Sequence, residues 1–246
     1  MTEWQPVIAR LGLGFETLTI EERLSRLRGA IAGRIMFTTS LGLEDQALTH
    51  AIWTAGLDIE IVTLDTGRLF PETYALWAET EHRYGRQILS YHPRHEALEA
   101  LIAAQGPAGF YASVENRKAC CHVRKVEPLA RALSGAAAWI TGLRAEQSPG
   151  RAGLAFIERE AGHGLIKVNP LLDWSRERLA AYVSEHAVPY NKLHGSGFAS
   201  IGCQPCTRAI QPGESERAGR WWWEREDKKE CGLHLSEDGR LERRST

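Results

Sequence analysis

Ile20, Leu24, Leu27 and Ile31 recur at helical spacing behind Thr19 and Glu22, which stand three residues apart as a capping box, and this predicts a helix running to about Gly33. Residues 34–39 and 60–64 are short runs rich in β-branched and apolar side chains. Between them Ala47, Leu48, Ala51, Ile52 and Ala55 keep a helical period, so the segment reads as a βαβ unit. Pro71 suits a helix start after the loop over 65–70, residues 87–91 read as a third strand, and residues 138–141 as a fourth after a helix around 120–133. Further strands are expected over 154–158 and 165–168, with Ser175 capping a helix that reaches about His186. Strands alternating with helices put the fold in the α/β class, with a doubly wound, mostly parallel sheet covered by helices on both faces.

After Pro189 the pattern changes. Gly195, Gly197, Gly202, Gly213, Gly219, Gly232 and Gly239 fall among many charges, which predicts loops, one short helix over 214–226 and a mobile tail. The expected organisation is one catalytic α/β domain over residues 1–210 and a C-terminal arm over 211–246, not two independent domains.

A chain of 246 residues, 43% hydrophobic and 25% charged, can bury a core for one mid-sized domain. Its 30 basic residues nearly cancel 31 acidic ones, so the overall charge supports neither a nucleic-acid nor a membrane-surface partner, and an anion must be caught by a local patch. No stretch approaches the roughly 20 apolar residues of a membrane span, and residues 1–15 lack a basic cluster followed by an apolar core. A cytoplasmic location is therefore expected. Five cysteines, an odd number, fit a reducing compartment where thiols serve metals or catalysis.

Four of them form two pairs, Cys120-Cys121 and Cys203-Gln204-Pro205-Cys206. Such a set can close a four-iron cluster, which takes one thiolate at each of four separated corners; zinc also takes four thiolates, and unliganded thiols are a third reading. Neighbouring side chains on a helix diverge by about 100°, which suits two corners of a bulky cluster better than one small ion. Cys231 stands apart in Lys228-Lys229-Glu230-Cys231-Gly232-Leu233-His234. The lysines favour its thiolate and Glu230 opposes it, so it is either a nucleophile on a glycine-flanked arm or an incidental thiol in a tail.

Two loops follow predicted strands at their carboxyl ends, where doubly wound sheets bind ligands: Ser40-Leu41-Gly42-Leu43-Glu44-Asp45 and Asp65-Thr66-Gly67. Side by side they outline a nucleotide pocket, although each alone is also ordinary turn chemistry. Lys125, Arg144, Arg217 and Arg220 lie near these motifs and are candidate donors to a doubly anionic ligand, against a bland alternative of solvated surface charge. The three tryptophans Trp221, Trp222 and Trp223 cannot share one helix face, so they must serve different surfaces.

The ordered set Ser40-Leu41-Gly42-Leu43-Glu44-Asp45, Leu64-Asp65-Thr66-Gly67, Cys120-Cys121 with Lys125, Thr141-Gly142-Leu143-Arg144, Cys203-Gln204-Pro205-Cys206, Glu214-Ser215-Glu216-Arg217-Ala218-Gly219-Arg220-Trp221 and Glu230-Cys231-Gly232-Leu233-His234 resembles the assimilatory sulfonucleotide reductases. The likeness is to the bacterial iron–sulfur adenylyl-sulfate (APS) reductase type and spans about residues 34 to 234. It implies a fold related to the ATP pyrophosphatases, of the adenine nucleotide alpha hydrolase-like kind. The implied cofactor is one [4Fe-4S] cluster on Cys120, Cys121, Cys203 and Cys206. The implied activity is thioredoxin-dependent reduction of adenylyl sulfate to sulfite and AMP through an S-sulfocysteine on Cys231, within assimilatory sulfate reduction and cysteine biosynthesis.

In that resemblance Ser40, Gly42, Glu44, Asp45, Leu64, Asp65, Thr66 and Gly67 bind the nucleotide. Lys125, Arg144, Arg217 and Arg220 serve the sulfate or phosphate, and His234 assists the nucleophile. Thioredoxin is the implied partner and a homo-oligomer the implied assembly. The first loop departs from the Ser-Gly-Gly-x-Asp-Ser pattern that grips pyrophosphate, which suits a sulfate-bearing monophosphate. Three rivals remain: a 3′-phosphoadenylyl-sulfate (PAPS) reductase, whose cluster-free forms lack the cysteine pairs; a cluster-bearing tRNA-thiolating enzyme, which wants a basic face; and a DNA-binding iron–sulfur sensor, for which no helix-turn-helix signal is visible.

Overall fold

The structure is a computed structural model, and it describes residues 4–148, 151, 153–160 and 162–225. Helix α1 (Trp4–Gly12) and helix α2 (Ile20–Ala30) precede strand β1 (Ile35–Thr39). Thr19 caps α2 as its sequence predicts: the Glu22 amide donates to Thr19 Oγ1 at 3.2 Å and the Thr19 amide to Glu22 Oε2 at 2.8 Å. There follow α3 (Leu43–Thr54), β2 (Glu60–Leu64), α4 (Pro71–Tyr84), β3 (Leu89–Tyr91), α5 (His95–Gln105), α6 (Val114–Cys121), α7 (Glu127–Leu133), β4 (Ala138–Ile140), β5 (Ile157–Glu160), β6 (Leu165–Val168) and α8 (Arg176–Glu185).

Six strands form one sheet in the order β3-β2-β1-β4-β6-β5, parallel throughout except for β5, which pairs antiparallel with β6. Strand period decides the two cores. Ile35, Phe37, Ile61 and Ile140 face α2, α3 and α8 in the larger core, whereas Met36, Val62 and Trp139 face Leu129, Ala132 and Leu133 of α7 in the smaller one. A sheet covered on both faces leaves the carboxyl ends of β1, β2 and β4 as the place where loops are free to build a site.

Departures from the sequence expectation have local causes. The helix expected around 120–133 is two α-helices joined by a π-helical turn over His122–Val126, where the Glu127 amide reaches back to the His122 carbonyl. Pro128 lacks an amide hydrogen, so the regular ladder breaks just before it. The short helix expected over 214–226 is replaced by turns in its described part, residues 214–225. Backbone groups there pair with the Cys203–Cys206 loop instead: the Arg208 amide donates to the Gly219 carbonyl and the Trp221 amide to the Cys206 carbonyl, each at 3.0 Å. Helix α5 was not expected, although Leu98, Leu101 and Ile102 give it an apolar stripe at helical spacing, which the fold only half buries. Among the described residues no helix is long and apolar enough to cross a membrane.

Candidate active site

Strand β1 ends in the loop Ser40–Gly42, which turns directly into α3. Leu41 holds φ 59°, a left-handed conformation unusual for a branched side chain, and its amide is taken by Thr39 Oγ1 at 2.9 Å. One carboxylate fixes the loop: Asp45 Oδ2 accepts from the Ser40 amide at 2.6 Å and from Ser40 Oγ at 2.7 Å. Burial pushes the Asp45 carboxyl up to about 7 against the opposing effect of the Ser40 hydrogen bonds. Its folded value therefore lies above its unfolded value, and the stability it contributes at low pH is lost as pH rises toward and through 7. Urea unfolding of the Asp45→Asn variant should gain on the parent between pH 5 and 7, by up to about 1.4 kcal/mol per pH unit; parallel pH dependences in the two proteins would refute this.

Facing this loop, the turn after β4 brings Thr141 and Gly142 against it. A Cβ on Gly142 would stand 2.1 Å from Asp45 Oδ1 and 3.1 Å from Glu44 Cβ, so only glycine fits. Between the two turns opens a cleft of about 200 Å³, walled by Thr38, Ser40, Gly42, Glu44 and Asp45 from the first loop, Leu64 and Thr66 from the second, and Trp139, Thr141, Gln147 and Arg151 beyond β4. Lys125, Cys203, Arg217, Arg220 and Trp221 close its other end. The residues expected in a nucleotide pocket thus come from separate parts of the chain to one cleft.

Asp65 and Gly67 do not line the cleft; they shape the second loop. Asp65 Oδ1 accepts from the Gly67 amide at 2.8 Å and from Tyr74 Oη at 2.7 Å, and Gly67 holds φ 66°. Arg144, expected among the anion ligands, lies wholly buried and outside the cleft lining. Its Nε donates to Glu44 Oε1 at 2.8 Å and one terminal nitrogen to both oxygens of Glu216 at 2.9 Å, while the other meets Glu146 at 3.2 Å. Those carboxylates occupy its donors, so it positions Glu44 and the segment around Glu216. Cys231 and His234 lie outside the described residues.

Behind the cleft the four remaining cysteines gather. Cys121, Cys203 and Cys206 are buried and Cys120 half-buried, packed with Phe110, Trp221 and Trp223. All four line one small void together with Arg68, Arg117, Arg124 and Lys125. As free thiols they are unequal: burial opposes the Cys203 thiolate, but Lys125, the Thr66 hydroxyl at 3.3 Å, Arg220 and Arg124 outweigh it and hold the group below its ordinary value. Burial, and then the charge on Cys203, push the Cys206 thiol up to about 12. The indole nitrogens of Trp221 and Trp223 are buried here with no hydrogen-bond partner among the described residues. Among the described residues no three His, Cys, Asp or Glu side chains meet closely enough for a single metal ion.

The segment over 214–225 is fastened at both ends. Besides the Arg144–Glu216 contact, Arg117 on α6 is buried and donates to Glu224 at 2.9 and 2.7 Å. Arg220 lies across Gly202, where a Cβ would meet its guanidinium at 2.2 Å, and donates weakly to Ser200 Oγ and the Ile201 carbonyl.

Sequence reasoning missed His194, which also lines the cleft. Its Nδ1 stands 2.8 Å from the Phe198 carbonyl, which can only accept, so Nδ1 carries the hydrogen; burial lowers its pKa and keeps the ring neutral. The signal available was its place nine residues before Cys203, in a stretch read only as loop.

Comparison with known proteins gives consistent results. Residues 34–209 match the family model described as the phosphoadenosine phosphosulfate reductase domain. The chain is 57% identical over 222 residues to adenosine 5′-phosphosulfate reductase of Sinorhizobium fredii (strain USDA 257), covering 90% of this chain and 88% of that protein. To the enzyme of the same name from Allochromatium vinosum it is 55% identical over 203 residues, covering 82% and 79%. Among solved structures, phosphoadenylyl-sulfate (PAPS) reductase from Candida auris in a phosphate complex superposes with a TM-score of 0.72 at 29% identity, over 85% of this chain and 99% of that one. Yeast FAD synthetase in complex with FAD follows with a TM-score of 0.53 at 19% identity, over 82% and 68%, a likeness of fold alone. The mostly parallel sheet and these neighbours fit the ATP-pyrophosphatase-related fold expected from the sequence.

Proposed function

The chain belongs to the phosphoadenosine phosphosulfate reductase family, and on that premise we propose that it reduces adenylyl sulfate to sulfite and AMP, with thioredoxin as the electron donor, in cytoplasmic sulfate assimilation. The observation that supports this reading is the adjacency of two cavities: Lys125, Cys203 and Trp221 form a wall common to the nucleotide-sized cleft and the void among the four cysteines. The names of the relatives at 55–57% identity support the substrate without a 3′-phosphate.

The donor set fits one [4Fe-4S] cluster on Cys120, Cys121, Cys203 and Cys206. Four thiols surround one void, four cations line it to balance the charge of four thiolates, and the Trp221 indole N–H on its wall, without a hydrogen-bond partner among the described residues, is available to sulfur. When bound, such a cluster supplies a fixed charge that tunes the electrostatics of the adjoining anion site. Lys125, shared by both cavities, sits where it serves the sulfate of the substrate, and Arg217 and Arg220 at the same end of the cleft serve the sulfate or phosphate. Ser40, Gly42, Glu44, Asp45, Leu64 and Thr66 hold the nucleoside end. Asp65, Gly67 and Arg144 support the loops that do so.

The chemistry falls to Cys231. Its thiolate attacks the sulfur of adenylyl sulfate, the bond from that sulfur to the bridging oxygen breaks, and AMP leaves with the electron pair. The enzyme then carries S-sulfocysteine. One thioredoxin thiolate attacks the Cys231 sulfur, sulfite departs with the bonding pair, and a mixed disulfide forms; the second thioredoxin thiol displaces Cys231 and leaves oxidised thioredoxin. Two electrons pass from thioredoxin to sulfur. His234 assists the thiolate in this proposal, and the catalytic segment acts as an arm on the domain.

A PAPS reductase is the second reading, supported by the Candida auris likeness. Sulfite release should be measured from both nucleotides with reduced thioredoxin, in the parent protein and in Cys231→Ser. Turnover of adenylyl sulfate at least tenfold above that of the 3′-phosphorylated compound, abolished in the variant, is the expected result. Equal or better use of the 3′-phosphorylated compound reverses the substrate choice, and activity surviving in Cys231→Ser removes the mechanism.

A further inference from the structure

The three consecutive tryptophans do three different things. Trp221 holds φ 41°, which turns the chain so that its ring is buried at 1% exposure against the cysteines, while Trp222 emerges at 48%. Trp223 lies between, edge-on to Trp222 at 5.5 Å and to Tyr111 at 4.5 Å. Tyr111 is 42% exposed, and its hydroxyl is tied at 2.7 Å to the Pro205 carbonyl in the Cys203–Cys206 loop. Trp222, Trp223 and Tyr111 are thus a continuous aromatic stack with two exposed ends. None of the three lines the cleft or the cysteine void.

From this patch, resting on the reaction proposed above, we infer that Trp222 and Tyr111 form the docking surface for the dithiol protein that releases sulfite from Cys231. The geometry of the tether carries the inference. Glu224, immediately after the stack, is pinned by the buried Arg117, so the chain leading to Cys231 starts from a fixed point beside the patch. Cys231 is seven residues beyond Glu224, which limits its reach to roughly 25 Å from that origin. A protein thiol must therefore meet the sulfur within that radius, close enough for the partner surface around it to reach the exposed rings. Such an encounter is repeated every turnover and must dissociate. A small contact anchored by one or two aromatic side chains suits it, because aromatic anchors concentrate binding energy in little area.

The test uses the full-length protein with Trp222→Ser and Trp222→Glu, and Trp222→Tyr as the conservative control. Three quantities are measured: SO₃ addition to Cys231 from adenylyl sulfate by intact mass, sulfite release by dithiothreitol, and the KM for reduced thioredoxin. The first two should match the parent, while the KM for thioredoxin rises roughly tenfold or more in the serine and glutamate variants and stays near the parent value in Trp222→Tyr. An unchanged thioredoxin KM overturns the inference. So does an equal loss of SO₃ addition, since the patch then acts through the site behind it. Sedimentation that converts a dimer to a monomer in Trp222→Ser with thioredoxin kinetics unaltered assigns the patch to a second copy and overturns it as well. If the parent itself acquires no SO₃, the reaction proposed above fails, and the docking surface falls with it.

Discussion

Arg144→Leu is expected to lower the unfolding free energy by about 3–5 kcal/mol, because it strands the carboxylates of Glu44 and Glu216 in a buried setting with their principal partner gone. The leucine fills part of the volume and supplies no donor. Gln147 still reaches Glu44 at 2.9 Å and Arg176 still meets Glu216 at 3.2 Å, so neither carboxylate is left wholly unpartnered and the loss is expected toward the lower end of that range. Urea unfolding measures it directly, and the double variant Arg144→Leu with Glu216→Leu should recover part of the loss. Sulfite release should fall further than stability alone explains, since Glu44 loses its fixed position on the cleft wall. A variant as stable as its parent would mean that these ion pairs contribute nothing net.

Gly142→Ala is expected to reduce kcat/KM on the order of 100-fold with the fold intact. The added methyl group must displace Asp45, which is held to Ser40 by two short hydrogen bonds, or push the turn after β4 outward. Either movement shifts the Ser40–Asp45 loop relative to the end of the cleft closed by Lys125, Arg217 and Arg220. Overpacking alone costs about 1–3 kcal/mol, which a domain of this size tolerates. Circular dichroism should stay unchanged while activity drops; full activity would show that the turn yields freely.

How much of this was readable beforehand follows the range of each interaction. The capping box at Thr19, the βαβ unit and the Ser175 cap depend on residues a few positions apart, and all three stand in the structure. The cysteine pairs and the two loops were legible as motifs because chemistry fixes their residue types. The pairing of Arg144 with Glu44 and Glu216 was not legible, because these partners lie 100 and 72 residues away and no spacing pattern announces them. The segment over 214–225 carries helix-forming residues, yet its backbone pairs with a loop that only the tertiary fold brings near. His194 entered the site for the same reason.

The π-helical turn before Pro128 carries a consequence for how the site tolerates change. One residue more than an α-helix needs is stored between Cys121 and α7. Deleting a single codon there would let the helix run regularly, with its backbone hydrogen bonding satisfied and the flanking turns close to their present phase, because the wide turn is what absorbs the extra residue. Cys120 and Cys121 would stay in phase with α7, but Arg124 and Lys125, which lie inside the wide turn, would lose the bearing that brings both to the cysteine void and Lys125 to the cleft as well. The bearing of these two cations is thus stored as a count of residues, invisible to any scan of substitutions and exposed to a one-residue loss.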